Sequence, residues 1–311
     1  MSSSTSIRDR LRARGISPRK SLGQNFLADD DSARRIVRLA NVKPGDVVIE
    51  IGPGIGALTR HLVQAARHVI AIEIDRNLIP ILQDELSPAA NLTIVQADAL
   101  EVDYLQLVRD ACPGDVLPPI RFIGNLPYYI TSAVIRQILE LPLHVEVIVI
   151  TVQLEVADRI VAGPGDMSLL SVSVQFYGKP EMLFRLSPSV FFPQPDVDSA
   201  VVRITPRPQT ADAKTVFTLA RAGFSQRRKQ LRNTLAAGLL LPKETADRLL
   251  LGAQVDPTRR AETLSIAEWI HLAEAYEAAG LGSENRSLNP ASASACNSGV
   301  PAPSTENTTA L

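Results

Sequence analysis

The chain contains too little of several things for the simplest functional classes. It has only two cysteines in 311 residues, Cys112 and Cys296, far apart and without histidine partners at ligand spacing. That excludes a disulfide framework and offers no zinc pattern, so no metal site is expected and a reducing, cytoplasmic setting is. No apolar run approaches the length of a membrane span. An excess of charge of either sign is also missing: the formal net charge is −1. A wholesale polycation is excluded, and any nucleic-acid binding has to come from local patches. There is no internal repeat.

What is present divides the chain. The first twenty residues are rich in Ser and Arg, with Asp9 their only acid, a composition that also suits an organellar transit peptide. They run almost directly into a motif at residues 21–27, which favours a mobile basic arm over residues 1–16. Beyond about Gly282 the sequence is rich in Ser, Ala, Asn and Pro. Such a composition buries too little apolar surface to offset its ordering entropy, so residues 283–311 are expected to form a disordered tail. Between these ends, residues 47–52, 68–74, 92–97, 121–124 and 145–152 read as short buried strands. Helical patterns lie between most of them, which implies a parallel sheet with right-handed crossovers. A helix is expected around 155–161, and 171–176 and 200–205 read as further strands that pair antiparallel. Pro206 and Pro208 break the pattern, and residues 213–280 are helical throughout. The expected architecture is α/β, a Rossmann-like sheet over residues 17–206, with a smaller all-helical domain over 207–282.

The strand ends carry the chemistry. Glu50-Ile51-Gly52-Pro53-Gly54-Ile55-Gly56-Ala57 joins the first strand to its helix, where Gly52 and Gly54 permit a tight turn and close backbone approach to a ligand. Glu73 closes the second strand roughly twenty residues on, where a carboxylate accepts ribose hydroxyls. Taken alone, this pattern also satisfies the dinucleotide fingerprint, so an NAD enzyme competes. Asp98 follows the third strand, placed to accept from an adenine amino group, although alone it reads equally well as a helix N-cap. Asn125-Leu126-Pro127-Tyr128 follows the fourth strand and brings together a side-chain amide, a proline-fixed backbone and an aromatic ring. An amide and nearby carbonyls accept hydrogen bonds from an exocyclic amine, and a tyrosine face stacks on its base. No His or Lys occupies a comparable strand end suited to moving a proton alongside a hydride. The ordered set describes an S-adenosylmethionine-dependent N-methyltransferase.

With these residues in place, the chain resembles the ribosomal RNA adenine N6,N6-dimethyltransferases over about residues 17–279. It looks closest to the bacterial branch that dimethylates two adjacent adenosines near the 3′ end of small-subunit (16S) rRNA. Ser21-Leu22-Gly23-Gln24-Asn25-Phe26-Leu27 resembles the family's first motif, which implies that Asn25 and Leu27 flank the methionine end of the cofactor. Residues 50–56 resemble its glycine loop, Ile72-Glu73-Ile74-Asp75 its ribose-binding strand end, Asp98 its adenine contact and residues 125–130 its substrate-gripping turn. The block from Phe191 to Val202 and the segment Phe224-Ser225-Gln226-Arg227-Arg228-Lys229-Gln230-Leu231-Arg232-Asn233 are more selective. The latter resembles small-subunit enzymes rather than the antibiotic-resistance branch that modifies large-subunit rRNA. Two departures, Leu154 in place of a usual Lys or Arg and the loop 166–170, lie near the expected RNA rim.

The resemblance implies S-adenosylmethionine as cofactor and small-subunit rRNA within the pre-30S particle as partner, with the protein acting as a monomer. Asn125 and the Leu126 carbonyl would accept the N6 hydrogens, Pro127 would fix the turn and Tyr128 would stack on the base. Phe191 is the candidate for the base's opposite face. No acid occurs between Ala213 and Lys243. Arg221, Arg227, Arg228, Lys229 and Arg232 are expected to contact phosphates, with Arg228 and Arg232 on one helix face, alongside the arm bearing Arg8, Arg10, Arg12, Arg14, Arg19 and Lys20. A DNA adenine methyltransferase and a non-catalytic assembly factor on the same fold are the competing readings.

Overall fold

The computed structural model describes residues 7–86, 89–114, 116–126 and 130–281. In chain order they form α1 (Ile7–Ala13), β1 (Phe26–Leu27), α2 (Asp30–Leu39), β2 (Val47–Ile51), α3 (Thr59–Ala65), β3 (His68–Glu73), α4 (Ile79–Leu86), β4 (Leu92–Gln96), α5 (Tyr104–Ala111), β5 (Ile120–Asn125) and α6 (Thr131–Leu139). Then follow β6 (Val145–Gln153), α7 (Leu154–Val161), α8 (Leu169–Tyr177), β7 (Gly178–Leu186), β8 (Phe191–Phe192), β9 (Ser199–Pro206), α9 (Ala213–Phe224), α10 (Leu231–Gly238), α11 (Lys243–Gly252) and α12 (Ile266–Ala278). The expected tail, 283–311, lies outside the described residues.

The main sheet runs in the order β4-β3-β2-β5-β6-β9-β7. From β4 to β6 all pairings are parallel, and β9 and β7 add antiparallel partners at one side. Every residue of β2 is buried. Val47, Ile49 and Ile51 pack with Ile72 and Phe122 on one face, while Val48 packs with Val69 and Ile123 on the other. A strand covered on both faces reads as a continuous apolar run rather than an alternating one, which is why these strands stand out in the sequence. The chain leaves β2 toward β3 on one side and returns with β5 on the other. The carboxyl ends of these strands therefore border a topological switch point, where open α/β sheets form ligand crevices.

Two expectations about the end of this domain are corrected. Residues 171–176 form part of helix α8, and the antiparallel partner of β9 is β7. Alternation of Val172, Val174 and Phe176 imitates a strand, but the helix is buried on two sides. Val172, Phe176 and Tyr177 join the core of the helical region, while Val174 joins the sheet core. Its polar stripe satisfies the end of α7: Ser171 Oγ donates to Arg159 O at 2.6 Å, and Gln175 Nε2 donates to Ala162 O at 2.8 Å. Ser168 and Ser171 form a capping box that starts the helix. β7 carries Pro180 and a half-exposed pattern, signals that place it at an edge rather than in the middle of a sheet.

Helices α9–α12 pack around Trp269, Phe217 and Leu219, all buried. Phe224 stacks on Trp269 with ring centroids 5.7 Å apart. Because Met167 and α8 belong to the same cluster, this core begins before residue 207. The expected arm is likewise corrected over its described part. Leu11 is 1% exposed and packs with Phe26, Ile55, Leu78 and Ile81, so α1 is a docked helix.

Candidate cofactor and substrate site

A cleft open to solvent lies at the carboxyl ends of β2–β5, the edge at which open α/β sheets bind ligands. Its lining includes Gly52 and Gly54 after β2, Glu73 ending β3, Asp98 after β4, and Asn125 and Leu126 at β5. Asn25 closes it from the segment before β1. The turn after β2 is glycine for a reason: Gly54 has φ +59°, and a Cβ there would stand 2.8 Å from Phe26 Cδ1. Apolar residues, among them Ile51, Ile74 and Leu78, form the remaining walls.

Backbone donors hold Glu73 in place. Its Oε2 accepts from Gly54 N at 3.1 Å and its Oε1 from Asp75 N at 2.8 Å. Burial raises its pKa to about 7, partly offset by those N–H groups. Each oxygen retains a lone pair for a further donor. Asp98 Oδ1 accepts from Leu100 N at 2.9 Å, so the local turn orients its carboxylate. Asn125 Nδ2 donates to Asn25 O at 2.7 Å. With its nitrogen committed there, the amide oxygen is the atom that can accept from a ligand.

A smaller cavity adjoins this cleft, lined by Leu27, Glu50, Gly52 and Asn125 among others. Sequence reasoning gave Glu50 no role beyond the glycine turn. It is 1% exposed, and its Oε2 has no hydrogen-bond partner. Thr59 faces the carboxyl, but its hydroxyl completes no well-directed hydrogen bond. Burial pushes the Glu50 pKa to about 8, eased by Thr59 and increased by the neighbouring Glu73. The signal was available in Val47-Val48-Ile49-Glu50-Ile51: a carboxylate inside an apolar run requires a partner or a function.

Other expected residues do not join the cleft. Leu27 is buried below it and reaches only the side cavity. Phe191, expected opposite the base, is 3% exposed, pairs with Leu27 across β1–β8 and packs in the core behind the sheet. Strand alternation directs it inward, so its opposite-face role is withdrawn. Pro127 and Tyr128 lie outside the described residues. Arg227, Arg228 and Lys229 occupy the exposed turn between α9 and α10. Arg228 and Arg232 therefore share no helix face. Arg232 is directed to the protein itself: Nη1 lies 3.7 Å from Asp247 and Nε donates to Gln230. Arg221 is exposed on α9. Arg227 opens onto a groove where it and Arg159 face Glu155, Asp158, Asp166, Asp196, Asp198 and Glu262. In the arm, Arg14 pairs with Asp84 at 2.8 Å, Arg10 pairs with Glu85, and Arg19 lies 3.5 Å from Asp75.

Residues 15–278 match the model of the ribosomal RNA adenine dimethylase family. A protein of Pelotomaculum thermopropionicum named ribosomal RNA small subunit methyltransferase A is 43% identical, over 88% of this chain and 96% of that one. Proteins of the same name from Alkaliphilus metalliredigens and Dehalococcoides mccartyi are 45% and 46% identical, over 81% and 84% of this chain and 90% and 89% of theirs. Among solved structures, the 23S rRNA methyltransferase ErmE is similar with a TM-score of 0.65 and 29% identity, over 81% of this chain and 100% of that one. A dimethyladenosine transferase from Plasmodium falciparum shares the fold with a TM-score of 0.72 at 24% identity, over 82% of this chain and 98% of that one.

Proposed function

The chain belongs to the ribosomal RNA adenine dimethylase family, enzymes that dimethylate rRNA adenines with S-adenosylmethionine, and we propose that its substrate is small-subunit rRNA. The target is N6 of two adjacent adenosines near the 3′ end, modified in the pre-30S particle by a cytoplasmic monomer. The relatives named for the small subunit are 43–46% identical, against 29% for the 23S enzyme, which supports this choice. The catalytic part corresponds to residues 17–206, and the helices within 207–282 serve RNA binding. No helix among the described residues is long and apolar enough to cross a membrane.

The observation that carries the reading is the ordered polar set around one cleft: Gly52, Gly54, Glu73, Asp98 and Asn125. These residues fit the cofactor's parts. Glu73 suits ribose hydroxyls and Asp98 the adenine amine. The Glu50 carboxyl, whose Oε2 has no partner, suits the α-ammonium, beside Asn25 and Leu27 at the methionine end. Gly52 and Gly54 let the backbone approach closely. When bound, S-adenosylmethionine supplies a sulfonium methyl already activated for transfer.

The protein's task is then alignment. Adenine N6 is a weak nucleophile because its lone pair is delocalised into the ring. The Asn125 amide oxygen and the Leu126 carbonyl accept the N6 hydrogens and favour a more tetrahedral nitrogen. Pro127 fixes their spacing and Tyr128 stacks on the base. The adenosine enters unstacked from its RNA neighbours, with Arg221, Arg227, Arg228 and Lys229 meeting phosphates. Arg232 contributes there only by exchanging its Asp247 partner. The proton leaves to water after transfer, without a dedicated base. Incubation with labelled cofactor and unmethylated small subunits, large subunits or DNA tests the substrate. Label should enter small-subunit RNA; preferential labelling of large-subunit RNA or DNA would reject the proposal.

A further inference from the structure

Residues 7–27 form a strap around one wall of the cleft. At its start, Leu11 is buried against Phe26, Ile55, Leu78 and Ile81. Arg10 pairs with Glu85 and Arg14 with Asp84, both acids lying on α4. Further along, Gln24 is held on both sides of its amide. Its Oε1 accepts from Arg19 N at 2.7 Å, and its Nε2 donates to Asp75 Oδ2 at 2.9 Å. Asp75 is 2% exposed, and its own N–H donates to Glu73. At the end of the strap, the Asn25 carbonyl accepts from the Asn125 amide, and Phe26 seats against Gly54. Leu22, Gly23, Gln24, Asn25 and Phe26 all line the cleft.

From these attachments we propose that docking of α1 on α4 and the Gln24–Asp75 contact position the cofactor cleft wall and hold the Asn125 amide for transfer. Arg10, Arg14, Leu11 and Gln24 are positioning residues. This replaces the expectation that Arg10 and Arg14 act as phosphate ligands, because both guanidinium groups are directed to acids of the same chain. The physical logic is local. A short helix makes few internal hydrogen bonds and depends on its packed face and ion pairs to stay in place. Its displacement would release the segment that supplies the Asn25 carbonyl, and the Asn125 amide would lose the partner that fixes which of its atoms faces the base. The inference rests on the cleft being the S-adenosylmethionine site.

The test titrates S-adenosylmethionine calorimetrically into the full-length chain with no RNA present, where a phosphate ligand has no effect. Arg10→Glu/Arg14→Glu should weaken binding about tenfold, equivalent to ~1.4 kcal/mol. Adding Asp84→Arg/Glu85→Arg, which restores opposite charges across the contact, should recover affinity to within about twofold. Gln24→Glu, which sets a carboxylate against Asp75, should also weaken binding and lower kcat at saturating cofactor, with the thermal midpoint held within a few degrees. Unchanged cofactor affinity in both the double reversal and Gln24→Glu would overturn the inference, and so would a loss that the charge swap does not recover. Glu73→Ala separates the two levels. If it leaves affinity intact, the cleft assignment fails; if it weakens binding while the strap variants do not, only the strap inference fails.

Discussion

Replacing Glu50 with Gln should make the free protein more stable with increasing pH, relative to wild type, while weakening cofactor binding. The Glu50 carboxyl is fully buried, and burial raises its pKa from 4.5 to about 8. An ordinary glutamate ionises freely in the unfolded chain above pH 4.5, whereas the folded chain keeps Glu50 protonated until about pH 8. The folded state therefore binds more protons across this window, and wild-type stability falls as pH rises through it. Between pH 5 and pH 8 the accumulated cost is about 3 kcal/mol. The glutamine side chain of the variant does not titrate. Any fixed cost of burying its amide is the same at both pH values and cancels from the comparison. Urea unfolding of both proteins at pH 5 and pH 8 should thus show a stability difference that shifts toward the variant by about 3 kcal/mol. Parallel pH profiles would refute the reasoning, because Glu50 would then ionise as easily folded as unfolded.

The same group sets a proton balance for binding. An α-ammonium pairs with ionised Glu50, so at pH 7 binding should release about 0.9 proton from this residue. Affinity should rise toward pH 8 and level off as the ligand's own amine, with a pKa of about 7.7–8.0, begins to lose its charge. Calorimetry in buffers of different ionisation enthalpy measures the release, and the wild-type minus Glu50→Gln difference isolates Glu50 from Glu73. Equal proton release by the two proteins would remove Glu50 from the ammonium site.

Other expected outcomes follow from single contacts. Gly54→Ala places a methyl 2.8 Å from Phe26 at a φ of +59°, and should cost about 1–2 kcal/mol of stability in chemical denaturation and weaken cofactor binding. Asn125→Ala should lower kcat about 100-fold or more while calorimetric cofactor affinity stays within a few-fold, since its proposed task is alignment of the amine. Arg227→Glu/Arg228→Glu should weaken binding to small subunits and flatten the dependence of log K on log salt, measured by filter binding. Arg232→Glu should lower thermal stability as well, because it opposes Asp247 at 3.7 Å, a cost that melting curves would separate from RNA binding.

Much of this architecture was legible because β2, β3 and β5 are apolar on both faces, β2 runs into glycines, and β3 and β5 end at polar residues. A carboxylate or amide that follows a buried run marks the sheet edge, and Gly52, Glu73, Asp98 and Asn125 indeed converge on one cleft. Other features required tertiary context. The two buried sides of α8 make its pattern strand-like, since each apolar face meets a different core. β7 carries a proline and only partial burial. Phe191 and Phe192 are adjacent in a strand and point to opposite sides, so sequence alone could not decide which one faces a ligand. A helical reading carried across residues 225–230 placed Arg228 and Arg232 together, whereas the turn there separates them. The ion pairs of α1 join positions about seventy residues apart along the chain, beyond any local signal. Their arginines are compositionally the same as those of a free basic arm.

The most direct test of the central claim is mass mapping of rRNA nucleosides after unmethylated small subunits react with the purified protein and S-adenosylmethionine. The expected product is N6,N6-dimethyladenosine at two adjacent positions near the 3′ end of the small-subunit RNA, lost in Asn125→Ala. Methylation confined to large-subunit RNA, to another atom of the base, or undiminished in Asn125→Ala would contradict it.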